Sequence, residues 1–256
     1  MAEGDPFRLD GKAAAVLGAA AGGLGARAAA VLAERGAAVT VADVEARSED
    51  LERTAESSDA DVHYCDVTDE AQIDALFDAV TAEHGRVDIV VNAAGTMLRK
   101  PYDQTTHDEF DQVIRTNLTG TWLVGKCAGR RMAAQGNGKI VNFSTVYAER
   151  VGPVPESAYY ASKAGVANVT RALAAELGPS GVTVNCLAPG VFFPTAMTAP
   201  LADTPQRLEW FTQRTMLGRL GSPETDLTGP LLLLASDASA YMTGQILYVD
   251  GGWSAW

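Results

Sequence analysis

The stretch Ala13-Ala14-Ala15-Val16-Leu17-Gly18-Ala19-Ala20-Ala21-Gly22-Gly23-Leu24-Gly25 decides how the rest of the chain is read. Its first half, Ala13–Gly18, is a short unbroken apolar run, as in a strand buried on both faces. The glycines that follow let the backbone turn tightly and approach a ligand closely, and the periodic segment Gly23–Arg35 then starts a helix. A strand, a glycine turn and a helix N-terminus in this order form a candidate pyrophosphate cradle, built from Gly18, Gly22, Gly23 and Leu24. Asp43 stands 20 residues beyond Gly23 at the end of the next apolar run, Ala38–Ala42. An acid there accepts a hydrogen bond from a ribose 2′-hydroxyl and repels a 2′-phosphate, so the pattern predicts NAD rather than NADP.

Outward from this unit, strand-like and helix-like segments alternate to the end of the chain. Val62–Cys65, Asp88–Asn92, Lys139–Phe143, Val182–Leu187 and Ile246–Val249 read as further strands. Helical periodicity covers Asp69–His84, about Thr106 to Gln135, and Tyr159–Leu177, and Ser222-Pro223-Glu224 predicts another helix with serine as its cap. The expected fold is α/β: a single doubly wound Rossmann-type domain over residues 1–256, with a mostly parallel seven-stranded sheet and helices on both faces. Residues 192–216, rich in Pro, Thr and large apolar side chains, read as an insertion over the sheet and a candidate substrate lid.

Composition limits the function classes. Apolar residues are 47% of the 256, enough for a large core, and the net charge of −12 argues against attraction to nucleic acid or anionic membranes. Cys65, Cys127 and Cys186 lie far apart in apolar surroundings, and His63, His84 and His107 are isolated, so neither set has metal-ligand spacing. The N-terminus carries no signal pattern, no apolar run reaches membrane-spanning length, and the cysteine usage suits a reduced compartment, which predicts a cytoplasmic protein.

Polar residues recur where strands end, the edge at which open parallel sheets bind ligands. Asp66 and Val67 follow the third strand, with Asp66 either facing an adenine or capping the next helix. Asn92-Ala93-Ala94-Gly95 ends the fourth strand, and Ser144-Thr145 the fifth. Asn117 interrupts an apolar helical run, where its ordinary reading is a satisfied kink. Tyr159 and Lys163 lie four apart on one helical face. An ammonium beside a phenol favours the phenolate, so the pair is a candidate acid/base near neutrality.

In this order the motifs resemble the classical short-chain dehydrogenase/reductase family over essentially the whole chain. Asn185-Cys186-Leu187-Ala188-Pro189-Gly190 and the tail from Tyr241 to Gly252 carry the same resemblance. It implies hydride transfer between a secondary alcohol and its ketone with NAD. Tyr159 is then the acid/base, and Lys163 lowers its pKa and holds the nicotinamide ribose. Ser144 or Thr145 bonds the substrate oxygen, and Asn117 positions a relay water. Asn92, Ala94, Gly95, Pro189, Gly190, Val191 and Thr195 complete the implied cofactor contacts, and the implied assembly is a homotetramer.

The chain departs from the family pattern in several places. Leu17 replaces a threonine, one extra residue lengthens the glycine turn, and Ala93 replaces an asparagine. Thr145 stands where the second of two serines is usual, and the loop to Tyr159 is one residue longer. Within the family, Met97-Leu98-Arg99-Lys100-Pro101 and Arg214-Thr215-Met216-Leu217-Gly218-Arg219 are similar to the gluconate 5-dehydrogenase and 2-deoxygluconate 3-dehydrogenase group. Arg99 or Lys100 is then a candidate for a substrate carboxylate, against the plainer reading of both as surface charges. Phe192, Phe193, Met197, Leu201, Leu208, Trp210, Phe211 and Met216 either line an apolar lid, which suits a cyclic or terpenoid alcohol better than a sugar acid or polyol, or pack the lid. Two other functions fit less well: a 3-oxoacyl-thioester reductase using NADPH, which Asp43 opposes, and an NAD-sensing protein without chemistry, which retention of both Tyr159 and Lys163 opposes.

Overall fold

The computed structural model describes residues 4–255. Seven strands form one parallel sheet: β1 (Ala13–Leu17), β2 (Ala38–Asp43), β3 (Asp61–Tyr64), β4 (Ile89–Asn92), β5 (Gly138–Phe143), β6 (Val182–Pro189) and β7 (Ile246–Val249). Their order is β3-β2-β1-β4-β5-β6-β7, and every pairing is parallel. The chain winds outward from β1 in one direction and then, from β4, in the other. Helices therefore leave opposite faces of the sheet on either side of the β1–β4 boundary, and a crevice opens at that boundary.

Residues on each strand alternate between the two cores. From β1, Ala14 and Val16 join the core that holds α1 (Leu24–Glu34), α2 (Ser48–Ser58) and, near the end of the chain, a Leu-rich helix over 228–235. Ala13, Ala15 and Leu17 point the other way, against α3 (Glu70–His84), with Ile73, Leu76, Phe77 and Val80 buried, and against helices over 120–135 and 157–177. The period-2 alternation of the strand is thus apolar on both sides, which explains why these strands read as continuous apolar runs.

The sequence expectation missed α2. Its residues Ser48-Glu49-Asp50-Leu51-Glu52-Arg53-Thr54-Ala55 are mostly charged or hydroxylic, and it buries only Leu51, Thr54, Ala55 and Ser58. A stripe of one leucine and small residues is too faint a periodic signal in such a segment. The stretch expected to be helical from about 106 to 135 is helical from His107 to Gln135, with one π-helical turn inside it. α4 (His107–Ile114) passes through a π-helical turn at Arg115–Thr119 into α5 (Gly120–Gln135). α4 starts on a capping box, Thr106 with Glu109, and α5 ends at Gly136 with φ 71°.

α6 (Ser157–Leu177) begins two residues ahead of the expected start. In the segment 192–216 the chain forms α7 (Pro205–Thr212), followed by α8 (Pro223–Asp226) and α9 (Thr228–Ala235). Pro223 opens α8 as expected, but the Ser222 side chain makes no cap; instead the Ser222 amide donates to Asp226 Oδ2 at 2.8 Å. Arg219 holds that carboxylate in place.

Close backbone approaches fix the connection between helices. Gly181, at φ 78°, leads into β6, and a Cβ there would lie 2.4 Å from the Gly136 carbonyl oxygen. Gly181→Ala is expected to destabilise the fold by about 1–3 kcal/mol, read as a lower urea midpoint at unchanged slope. An unchanged midpoint would show that the α5–β5 and α6–β6 turns yield without strain.

Candidate functional site

A cleft of about 840 Å³ opens over the carboxyl ends of the strands, where β1 and β4 diverge. Its floor begins at Gly18, which holds φ 77°. A Cβ on Gly18 would fall 2.4 Å from the Ala94 amide nitrogen, so only glycine lets the turn after β1 rest against the end of β4. Gly25 plays a similar part within α1: a Cβ there would meet the Gly18 carbonyl oxygen at 2.1 Å. Gly22 (φ 83°) does not border the cleft; its carbonyl accepts from Ala196 N at 2.7 Å and fastens the 192–216 segment to the turn. Gly23 and Leu24, at the start of α1, do border it.

Asp43 ends β2 at the cleft wall. Its carboxylate accepts from the amides of Ala20 (3.0 Å) and Val44 (2.9 Å), which ties the acid to the glycine turn. Arg47 shares this end of the cleft, with its guanidinium on Asp50 at 2.9 Å. Arg47 carried no sequence signal, because its place depends on the turn that leads into α2. Asp66 and Val67 border the cleft, and Asp66 does not cap α3. Its Oδ1 accepts from Thr68 N at 2.8 Å, and Asp69 is the cap, accepting from Ala71 and Gln72.

Ala94, Gly95, Pro189, Gly190 and Thr195 also line the cleft, whereas Asn92, Asn117 and Val191 stand behind it. Asn92 is buried and donates to Thr121 Oγ1 at 3.1 Å while accepting from Ala94 N at 3.3 Å. Val191 packs in the aromatic cluster beside the segment. Asn117, fully buried in the π turn, accepts from Thr96 N (2.7 Å) and donates to Thr96 O and Ser162 Oγ (both 2.9 Å). The kink expected from its position is this π turn, which aims the amide at the loop after β4. Ser162 carried no sequence signal.

Tyr159 and Lys163 meet in the cleft one helical turn apart, 6% and 5% exposed, with Lys163 Nζ 5.8 Å from the phenol ring centre. Lys163 Nζ donates to the Phe143 carbonyl at 2.8 Å. Gly95 keeps the space beside it open, since a Cβ there would stand 3.5 Å from Nζ and 3.3 Å from Asn117 Oδ1. The same packing takes both groups out of water. Burial pushes the Tyr159 phenol well above its usual range, Glu156 adds to the rise and Arg99 opposes it. Burial also pushes the Lys163 ammonium down to about 8. Desolvation disfavours both charged forms and is the largest cause of each shift.

Ser144 and Thr145 both reach the cleft from the end of β5. Ser144 Oγ donates to the Lys163 carbonyl at 2.8 Å, and Thr145 Oγ1 donates to the Pro189 carbonyl at 3.1 Å. Of the two cations after β4, only Arg99 lines the cleft; it donates from Nε to Glu156 Oε1 at 2.8 Å. Lys100 points to Glu109 instead, at 2.8 Å from both of its oxygens.

Most of the apolar side chains expected over the cleft pack the segment itself. Phe192 and Met197 line the cleft, while Trp210 stacks edge-on with Phe211 and Trp253, Phe211 packs tilted against Trp253, and Met216 is 51% exposed. All three cysteines are buried and free. Glu70 and Asp74 converge with Cys127 within 4.8 Å, but Lys126, Arg130 and Arg131 already pair with the two carboxylates. Among the described residues no helix is long and apolar enough to cross a membrane.

Known proteins are similar to this chain in sequence and fold. The family model described as Enoyl-(Acyl carrier protein) reductase matches residues 18–254. Gluconate 5-dehydrogenase of Gluconobacter oxydans is 37% identical over 98% of each chain. D-threitol dehydrogenase of Mycolicibacterium smegmatis is 37% identical over 97% of this chain and 95% of its own. The crystal structure of a gluconate 5-dehydrogenase from Burkholderia cenocepacia, in complex with NADP and tartrate, superposes with a TM-score of 0.90 at 35% identity over 98% of each chain. With the glycine turn against Ala94, the Tyr159/Lys163 pair and the full parallel sheet on the same edge, the chain belongs to the short-chain dehydrogenase/reductase family.

Proposed function

We propose that the protein is an NAD-dependent oxidoreductase that interconverts a secondary alcohol and its ketone, with Tyr159 as acid/base. The observation that carries this reading is the convergence of Tyr159, Lys163, Ser144 and Thr145 at one end of a cleft whose other end is the Gly18 turn and Asp43. The cleft suits a dinucleotide. Its glycines leave backbone exposed where phosphates dock on a helix N-terminus, and the gap kept by Gly95 lies beside Lys163. A nicotinamide coenzyme, when bound, supplies the hydride donor or acceptor.

The chain's own residues do the rest. In reduction Tyr159, whose buried phenol holds its proton, is the acid that gives it to the carbonyl oxygen. Lys163, protonated below about pH 8, then stabilises the phenolate that forms. Thr145 steadies the oxygen as charge builds on it, and its bond to the Pro189 carbonyl is the longer and more easily exchanged of the two hydroxyl ties. Asn117 holds the Thr96 backbone and Ser162 behind the pair, and in oxidation the same steps run in reverse.

Arg99 in the cleft wall favours hydroxy acids among the substrate classes, with polyols and cyclic alcohols next. The names of the relatives, a gluconate and a threitol dehydrogenase, support that range. A second reading concerns the coenzyme. Arg47 at the adenosine end is a cation that a 2′-phosphate can use, so the proposal is preference for NAD with residual use of NADP. NAD and NADP tested in turn with sugar acids, polyols, cyclic alcohols and an acetoacetyl thioester separate these readings. Clear reduction of the thioester with NADPH would promote the acyl reductase, and binding of NAD with no turnover of any alcohol would promote the sensor.

Tyr159→Phe is expected to lower kcat by at least about 10²-fold, the usual share of a general acid, with NAD affinity within a few-fold; near-normal turnover would remove Tyr159 from the chemistry. Asp43→Ala is expected to reduce the ratio of kcat/KM for NAD over NADP by about tenfold, one lost charge-assisted hydrogen bond of about 1.5 kcal/mol. Equal use of both coenzymes by the unaltered enzyme would contradict the role given to Asp43.

A further inference from the structure

Three residues before Tyr159 the chain buries a carboxylate. Glu156 is 3% exposed at the start of α6, and its Oε1 accepts from Arg99 Nε at 2.8 Å. The pairing is built in rather than fortuitous. Lys100 N, next to Arg99, donates to the carbonyl of Pro155, next to Glu156, at 2.9 Å, so the backbones that carry the two charges are fastened together. The Glu156 carbonyl in turn accepts from Tyr160 N in the first turn of the helix. Arg99 lines the same cleft as Tyr159, with its side chain 35% exposed against 3% for its partner.

A carboxylate this deep is costly unless a cation compensates it, so an unpaired Glu156 or an unpaired Arg99 would each impose a field on its neighbours. The groups that face this spot are few. Glu156 precedes α6, which contributes Tyr159, Tyr160 and Lys163; the loop after β4 contributes Arg99, and the turn after β5 contributes Tyr147; from the 192–200 stretch no charged side chain borders the cleft.

We propose that Glu156 is a positioning residue that forms, with Arg99, a compensating ion pair beside Tyr159, and that the balance of this pair sets the pH range in which Tyr159 exchanges its proton. The two charges act on the phenol in opposite senses: Glu156 favours the protonated form and Arg99 the phenolate. Tyr160 and Tyr147 feel the same carboxylate, and Tyr160 is pushed up to about 12, first by burial and then by Glu156. The inference rests on Tyr159 being the acid/base.

The test is the pH profile of kcat/KM for oxidation of a neutral secondary alcohol at saturating NAD, where the rising limb follows formation of the phenolate. Glu156→Gln keeps the shape and leaves Arg99 uncompensated, so the limb is expected to move to lower pH by about one unit, the size of one nearby charge in a partly screened site. Arg99→Met is expected to move it to higher pH, which keeps the test available if Glu156→Gln does not fold. Arg99→Lys keeps the charge and should leave the limb in place, and the double variant R99M/E156M should restore the original position. An unmoved limb in Glu156→Gln or in Arg99→Met, movement in Arg99→Lys as large as in Glu156→Gln, or a double variant that stays displaced would each overturn the inference. Tyr159→Phe separates the two levels: if it is inactive while the single variants leave the limb unmoved, the pair inference alone falls; if it stays active, the acid/base reading falls first.

Discussion

The contact on which the molecule depends is the approach of the Gly18 backbone to Ala94, at the boundary where β1 meets β4. The parallel order reverses direction there, and the helices diverge to opposite faces. A side chain at 18 would collide with backbone, not with a group able to rotate away. The positive φ of Gly18 turns the chain into α1 and leaves the crevice between the two strand ends. Asp43, the end of β4 and the Tyr159 helix are all placed by reference to that opening.

A second constraint is desolvation. Tyr159, Lys163, Ser144, Thr145 and Asn117 are all nearly buried, and each polar group taken from water needs a partner or a function. The structure meets this with backbone. Lys163 is held by the Phe143 carbonyl, the two hydroxyls by the Lys163 and Pro189 carbonyls, and Asn117 by Thr96. The ends of β5 and β6 and the loop after β4 therefore locate the side chains through fixed groups, which is a preorganised arrangement. The same burial raises the phenol and lowers the ammonium, so the pair is tuned by its surroundings as much as by its own separation.

Where the sequence was misleading, the causes are specific. α2 hides its helical stripe among charges. Ser222 and Asp66 have the side chains of helix caps, yet Asp226 and Asp69 lie where the amides actually point. Gly22 and Val191 belong to motif segments whose neighbours border the cleft, but one fastens the 192–216 segment and the other packs in an aromatic cluster. Large apolar residues in that segment could face inward to a ligand or toward one another, and Trp253 from the far end of the chain decided the matter for Trp210 and Phe211.

By itself the sequence determined the parallel α/β architecture, the glycine turn and the one-face spacing of Tyr159 and Lys163. These follow from local periodicity and backbone geometry, which act over a few residues. Only the tertiary structure decided that Arg99 and not Lys100 enters the cleft, that Glu156 is buried against it, and that Arg47 borders the same end of the cleft as Asp43. Those placements bring together residues from different loops and helices. The charge on a side chain is written in the chain, but the dielectric around it and the partner it meets exist only once distant segments have packed together.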